Sequence, residues 1–193
     1  MFRALLPLLL LVSSPWVHAH EVTDMGRGFT SGFMHPLLGL DHVLAMLAVG
    51  IWGAQLGRPA IWLLPVTFPL VMAFGGVLGV LGMPFPGVEV GIALSALVLG
   101  GLVAMRIRTP TGLAMAVVGL FALCHGHAHG TEIPHAANPA TFALGFVLAT
   151  GLLHTAGIAF GLLNGLRHGI EVLRAGGGVI ALGGLYFLLL QVR

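Results

Sequence analysis

The sequence contains no lysine, and all eight of its basic residues are arginine. A phosphate-binding loop of the G-x-x-x-x-G-K-[ST] type and a Schiff-base enzyme both need a lysine, so both classes are excluded. Only one cysteine occurs, Cys124, which excludes an internal disulfide framework and a zinc site built from several thiolates. We therefore expect no enzymatic activity from these classes of site.

Charge is scarce as well. Charged residues make up 7% of the 193 positions, whereas a soluble domain carries about 25%. Hydrophobic residues make up 58%, so there is too little charge to cover a water-facing surface, and the composition is that of a membrane protein. The net charge of +2 comes from a few arginines and does not predict binding to nucleic acid.

The first 19 residues have the pattern of a secretory signal peptide. Arg3 precedes an apolar run at residues 5–12, and a small-residue cleavage site ends at Ala19. The apolar run is too short to cross a bilayer, whose core needs about 20 apolar residues. We expect cleavage after Ala19 and a mature domain of residues 20–193 that begins at His20, with an uncleaved anchor as the alternative.

The mature domain is predicted to be an all-α bundle of six transmembrane helices. The expected bounds are 36–54, 60–82, 88–105, 111–123, 140–163 and 173–190, and the short fourth span leaves open a continuation into the histidines that follow it. Alternate connections carry five arginines: Arg58, Arg106, Arg108, Arg167 and Arg174. The positive-inside rule then predicts a bacterial inner-membrane protein with both termini in the periplasm.

The most informative segment is HPLLGLDHVLAM, which begins at His35. If a helix starts at Pro36, the His35 and His42 rings share a face with Met46 and lie about 10 Å apart along the axis. Two imidazoles so placed cannot hold one ion; they would be successive stations, or His42 would share an ion with Asp41 and another helix. A carboxylate inside an apolar span costs about 2.5–3.5 kcal/mol, so we predict that Asp41 is functional. Its alternative role is to accept a hydrogen bond that fixes the core.

A cluster of three histidines follows the fourth span. Imidazole and carboxylate are good ligands for nickel, zinc, copper and cobalt. In a helix His125 and His129 would share a face, whereas an extended chain would align both with His127. We predict metal capture by these three histidines, with a polar loop at the membrane surface as the alternative. The accessory ligands would be Cys124, Glu132 and His135.

His154 lies roughly 20 Å inside the fifth span and is also predicted to bind metal. Arranged by depth, the predicted ligands form a path from a mouth with His20, His35 and the histidine cluster, through Asp41 and His42, to Met46 and His154. Magnesium or calcium would need more carboxylates, and copper(I) more thiols or thioethers. Nickel or cobalt fits best by elimination, with zinc left open, as a transported ion and not as a permanently bound cofactor.

The stretch HPLLGLDHVLAMLAVGIW at residues 35–52 closely resembles the signature of the HupE/UreJ family of bacterial membrane proteins. The signal peptide, the six spans and the CHGHAHG segment also match that pattern, so the resemblance covers essentially the whole chain. It implies nickel import that supplies hydrogenase or urease, with His35, Asp41 and His42 carrying transport.

Two other interpretations remain. An intramembrane haem or redox protein would use two facing histidines, such as His42 and His154, as axial ligands. It gives no role to Asp41 or to the histidine cluster. A structural membrane partner would also leave Asp41 unexplained. The sequence does not decide between a monomer and a homo-oligomer, nor does it reveal the energy source or the hydrogenase or urease context.

Overall fold

The computed structural model describes residues 24–132 and 138–191, and every regular element in these ranges is helical. The helices are α1 (Asp24–Leu38), α2 (Leu40–Leu56), α3 (Ala60–Val80), α4 (Val88–Met105), α5 (Thr111–Thr131), α6 (Pro139–Gly161) and α7 (Gly169–Gln191). Helices α3 to α7 are each long and apolar enough to cross a membrane, and the bent pair α1–α2 makes a sixth candidate. An all-helical bundle with five or six candidate spans is thus confirmed. The predicted signal peptide, His20 and His135 lie outside the described residues.

The helix bounds agree with the predicted spans to within four residues except at two places. Helix α4 covers the predicted 88–105, and α3 ends two residues before the predicted limit. Helix α5 continues past 123 to Thr131, so the histidine cluster is helical and is not a surface loop. The larger difference concerns the first span.

The prediction of one continuous helix from Pro36 to residue 54 is wrong. Pro36 lies in the last turn of α1, and the chain bends by 77° between α1 and α2. Gly39 occupies the break in an extended conformation, and a Cβ there would lie only 3.1 Å from Oδ1 of Asp41. A glycine at this position therefore leaves room for the Asp41 carboxylate beside the break. Because the chain bends here, His35 and His42 do not share one helical face.

The distribution of polar and apolar side chains is that of a membrane protein. Large apolar residues such as Leu70, Phe74 and Leu152 are exposed on the outside of the bundle. The interior contains four buried histidines: His42, His125, His127 and His154. Because lipid is the solvent that accepts exposed leucine and phenylalanine, this outer surface fits a bilayer and the histidines face inward.

Glycines allow the helices to pack at backbone contact. On α6, Gly157 and Gly161 pack against the backbone of α2. Between α3 and α5, Gly126 packs directly on the backbone carbonyl of Met72. Because Gly126 lies between two histidines of α5, this contact fixes the position of that histidine segment against α3.

Gly126→Ala should destabilise the protein by about 1–3 kcal/mol, because the new methyl group would collide with the Met72 carbonyl and push α3 away from α5. Gly119→Ala on the same helix is the matched control. A Cβ at Gly119 would meet a methyl group of Val71 at 3.7 Å, an ordinary contact. Thermal unfolding in detergent measures both variants. Equal midpoints for the two variants would contradict the close α3–α5 packing.

The two ends of the bundle differ in charge. At one end, Trp52 Nε1 donates to the carbonyl of Ile107 at 3.0 Å, and Arg106 donates to Oδ1 of Asn164 at 3.2 Å. The connections that follow α2, α4 and α6 carry four of the five arginines noted above, and the fifth, Arg174, lies in α7 and donates to the carbonyl of Ala104 near the end of α4 at 3.2 Å. We call this the arginine end. The opposite end carries the carboxylates of Asp41, Glu89 and Glu132.

Candidate metal site

A cavity of about 290 Å³ opens at the end of the bundle opposite the arginines. It lies where α1 meets α2, beside the start of α4 and the last turns of α5. Four histidines and three carboxylates line it: His35, His42, His125, His129, Asp41, Glu89 and Glu132. Among the described residues, no arginine lines the cavity, so its three carboxylates attract cations.

The outer part of this cavity contains three ligand atoms at the spacing of a metal site. His35 Nε2 lies 3.0 Å from His129 Nδ1 and 3.2 Å from Glu132 Oε2, and the last two atoms are 3.4 Å apart. Ligand atoms around one tetrahedral ion with metal–ligand bonds of about 2.0–2.2 Å are roughly 3.3 Å apart. We call these three residues the mouth triad; among the described residues it is the one group of three such side chains with ligand atoms within 4.8 Å of one another.

The residues of the mouth triad lie at the carboxyl ends of two helices. His35 lies in the last turn of α1, His129 lies in the last turn of α5, and Glu132 follows α5 directly. A helix carboxyl end presents unpaired carbonyl groups and a partial negative charge, which favours a cation. Helix α1 ends here because the chain breaks after Leu38, so the bend in the first span places His35 next to His129 and Glu132.

Exposure falls steadily along the cavity. The Glu132 side chain is 53% exposed, His35 33% and His129 19%, whereas His42 and His125 are 2% and 1% exposed. Their ring centroids are 5.3 Å apart, and the His42 centroid is also 5.3 Å from that of His129. The cavity therefore leads from a hydrated mouth to a buried pair of imidazoles.

The buried imidazoles have nitrogens without hydrogen-bond partners among the described residues. These atoms are Nδ1 of His42, Nε2 of His125 and Nε2 of His129. His125 Nδ1 lies 3.0 Å from the carbonyl of Phe121 and donates to it, which leaves Nε2 as the atom with a free lone pair. Histidines that bind metals are oriented in this way by a backbone acceptor.

Asp41 lies in the first turn of α2, beside the break and half-buried. Its Oδ1 accepts a hydrogen bond from the backbone N–H of His42 at 2.8 Å. The carboxylate thus stabilises the start of α2, where negative charge is favoured, and its other oxygen is not used by this bond. Asp41 belongs to the cavity wall at a helix end, and not to the interior of a continuous helix as the sequence suggested.

The remaining predicted ligands lie away from the cavity wall. His127 points away from His125, and its Nε2 donates to the carbonyl of Met83 at 2.7 Å. Cys124 packs with Ile92 and Ala128 in a small apolar cluster. Met46 is fully buried in the main apolar core. The helical course of α5 explains the separation of the three histidines, because a residue two positions on faces about 200° away.

His154 is buried deeper, beyond the cavity lining. Both of its ring nitrogens lack a partner among the described residues. The Phe68 ring packs edge-on against His154 and His125 with centroids 5.5 Å apart in each case, and against His42 at 6.4 Å. His42 and His154 therefore share Phe68 as an aromatic neighbour.

Two polar residues of the site were not predicted from the sequence. Glu89 lies in the first turn of α4 and lines the cavity. Thr150 of α6 is fully buried, with Oγ1 3.4 Å from His42 Nε2. The signal for Glu89 was available, since it is a carboxylate inside the predicted third span, where charged residues are few. Thr150 gave no signal, because a threonine in a membrane helix commonly bonds its own backbone.

A second, larger cavity of about 480 Å³ lies between α3, α5 and α6. Its described walls are almost wholly apolar, and His129 is the one imidazole among the described residues that line it. An apolar groove offers no replacement for the water shell of an ion. The polar cavity is therefore the candidate metal site.

Comparison with known proteins gives two matches. The profile of the family described as HupE / UreJ protein matches residues 8–187, a range that includes every residue of the polar cavity. Protein HupE of Rhizobium leguminosarum bv. viciae is 46% identical over 171 residues, which cover 89% of this chain and 89% of the relative. No solved structure matches the chain at a significant level.

Proposed function

The chain belongs to the HupE/UreJ family, and from this membership and the cavity we propose that it imports a divalent transition metal, nickel first, for hydrogenase or urease. The observation that carries the proposal is the mouth triad, whose three ligand atoms lie 3.0–3.4 Å apart. Two imidazoles and a carboxylate suit nickel, cobalt and zinc, which prefer this mixture of ligands to oxygen alone.

The charges at the two ends support a direction of transport. Five arginines at one end of a membrane bundle favour the cytoplasmic side for that end. The cavity would then open to the periplasm of a bacterial inner membrane, with the carboxylates of Asp41, Glu89 and Glu132 attracting cations from outside. The metal is the substrate in this proposal, and no permanently bound cofactor takes part.

Burial along the cavity supports stepwise loss of water from the ion. A divalent cation cannot enter the apolar interior unless protein atoms replace its hydration shell. The mouth triad offers these atoms where the side chains are still hydrated, and His42 and His125 offer nitrogen where exposure has fallen to 2% and 1%. Ligands of decreasing exposure therefore form a graded route into the bundle.

Nickel accumulation in a bacterium without its own nickel importer tests this function. Expression of the chain should raise cellular nickel and nickel-dependent urease activity at low external nickel. Expression at normal membrane levels without any rise in cellular nickel would contradict the proposed function.

Glu132→Gln should raise the external nickel concentration for half-maximal uptake by roughly 10-fold or more, because one charged ligand of the mouth is lost. High external nickel should restore the rate, since the deeper nitrogens remain. His127→Gln is the matched control on the same helix. Its amide can still donate to the Met83 carbonyl, so uptake should keep the parental concentration dependence. Equal shifts in both variants would mean that Glu132 has no particular role.

A further inference from the structure

The two ring nitrogens of His129 have different surroundings. Its Nδ1 belongs to the mouth triad, 3.0 Å from His35 Nε2. Its Nε2 is buried and has no hydrogen-bond partner among the described residues. A neutral imidazole binds a metal through one nitrogen while the other carries the proton, so this ring can serve a site on either side of it, one at a time, with the proton moving to the opposite nitrogen.

Two further imidazoles lie beyond His129 along the cavity: His42 is next to His129, and His125 is next to His42. Ring centroids of His42 and His129 are 5.3 Å apart, as are those of His42 and His125. Two imidazoles that share a tetrahedral ion through bonds of about 2.0–2.1 Å have centroids roughly 5 Å apart. His42 thus already lies at the separation of a co-ligand from each of the other two rings, and each of the three rings has a buried nitrogen without a partner among the described residues.

We propose that His42, His125 and His129 form a second metal site, deeper than the mouth triad and built from nitrogen alone, and that His129 passes the ion from the first site to the second. This rests on the proposed function, since the ion is the transported metal. The nitrogens of these three rings are wider apart than those of the mouth triad. Rotation of the His129 ring about its side-chain torsions would bring its Nε2 to an ion held by His42 and His125, whose own contacts with Thr150 and Phe121 stay in place.

The surroundings of the deep site hold its rings in suitable orientations. The Phe121 carbonyl accepts from His125 Nδ1 at 3.0 Å and directs Nε2 toward the ion. Thr150 Oγ1 lies 3.4 Å from His42 Nε2 and leaves Nδ1 for the metal. Such bonds fix the tautomer and the orientation of a ligand.

A site of this composition discriminates among metals. Magnesium and calcium prefer oxygen ligands and are held poorly by neutral imidazoles. Nickel, cobalt and zinc accept imidazole readily. The mouth triad with its carboxylate would therefore collect divalent cations, and the deep site would reject those that do not bind nitrogen.

Titration of the purified full-length protein with Co²⁺, followed by the visible ligand-field absorption of the metal, tests the proposal. The wild type should bind two Co²⁺ ions per chain, with His129 serving one of them at a time and the mouth ion held by His35 and Glu132 when His129 binds the deeper ion. His125→Ala should bind one, at the mouth, and His35→Ala should bind one, at the deep site, with different spectra. His127→Gln is the control and should bind two. Gel filtration and thermal unfolding verify the fold, and His125→Gln replaces His125→Ala if the smaller side chain destabilises the bundle.

Two results would overturn the deep site. Either His125→Ala keeps both ions, or the wild type binds a single ion that is lost in His35→Ala and unaffected in His125→Ala. In the second case the mouth triad and the proposed function survive. Failure of the wild type to bind any Co²⁺ would overturn both the deep site and the proposed function.

Discussion

Asp41→Asn should lower the rate of nickel uptake at least about 100-fold while the protein still reaches the membrane. At an effective dielectric constant of about 20, a unit charge 4 Å away contributes about 4 kcal/mol for each unit of ion charge. Each 1.4 kcal/mol corresponds to a factor of ten. Asn keeps the size of the side chain and can still accept the hydrogen bond from the His42 N–H, which spans 2.8 Å in the structure. The start of α2 should therefore survive.

Nickel accumulation in cells, normalised to the amount of protein in the membrane, measures this effect. Glu171→Gln is the matched control, because Glu171 is a carboxylate in the first turn of α7, at the arginine end. The control should accumulate nickel at the parental rate. Parental uptake by Asp41→Asn at normal membrane levels would show that the Asp41 carboxylate is not part of the route.

His129→Ala should abolish saturable uptake, and high external nickel should not restore it. The reason is that His129 belongs to the mouth triad through Nδ1 and offers its buried Nε2 to the interior. Loss of Glu132 or His35 removes a ligand of the mouth alone, and a high metal concentration compensates for weak capture. Loss of His129 interrupts the route itself.

Concentration dependence separates these outcomes. Uptake should be measured for His129→Ala, Glu132→Gln and His127→Gln from low to saturating nickel. Rescue of His129→Ala at saturating nickel, to the same extent as Glu132→Gln, would restrict His129 to the mouth.

Much of the bundle could be predicted from the sequence, because membrane spans are set by the length of apolar runs. The limits of α4 and the approximate limits of α3, α6 and α7 follow directly from where glycine, proline and arginine interrupt those runs. Lipid imposes helical structure on each of these runs, so the fold class followed as well.

The break in the first span could not be predicted from periodicity. Residues 35–46 are apolar at helical spacing on both sides of Gly39, and a glycine inside a membrane helix is common. The conformation is decided by tertiary contacts. Helix α1 packs on α6 through Gly32 and Gly145, while α2 packs on the same helix through Gly50 and Gly157. A one-dimensional pattern carries no information about these contacts.

The residues that line the candidate cavity could be predicted from the sequence better than their arrangement. His35, Asp41, His42, His125, His129 and Glu132 were all identified from the sequence, and they line one cavity. The pairing of His35 with His129 was not predicted, because the two residues are 94 positions apart and meet only after the bend. His127 was grouped with its neighbours by spacing, and the helical course of α5 turns it toward the Met83 carbonyl instead.

The central claim is that this chain alone conducts a divalent transition metal through the cavity that contains the mouth triad. The most direct test is nickel uptake by liposomes that contain only the purified protein and a trapped fluorescent chelator. We predict saturable uptake well above that of protein-free liposomes, inhibited by Co²⁺ and unaffected by equal concentrations of Mg²⁺. Uptake no faster than in protein-free liposomes, from correctly folded protein of either orientation, would contradict the claim.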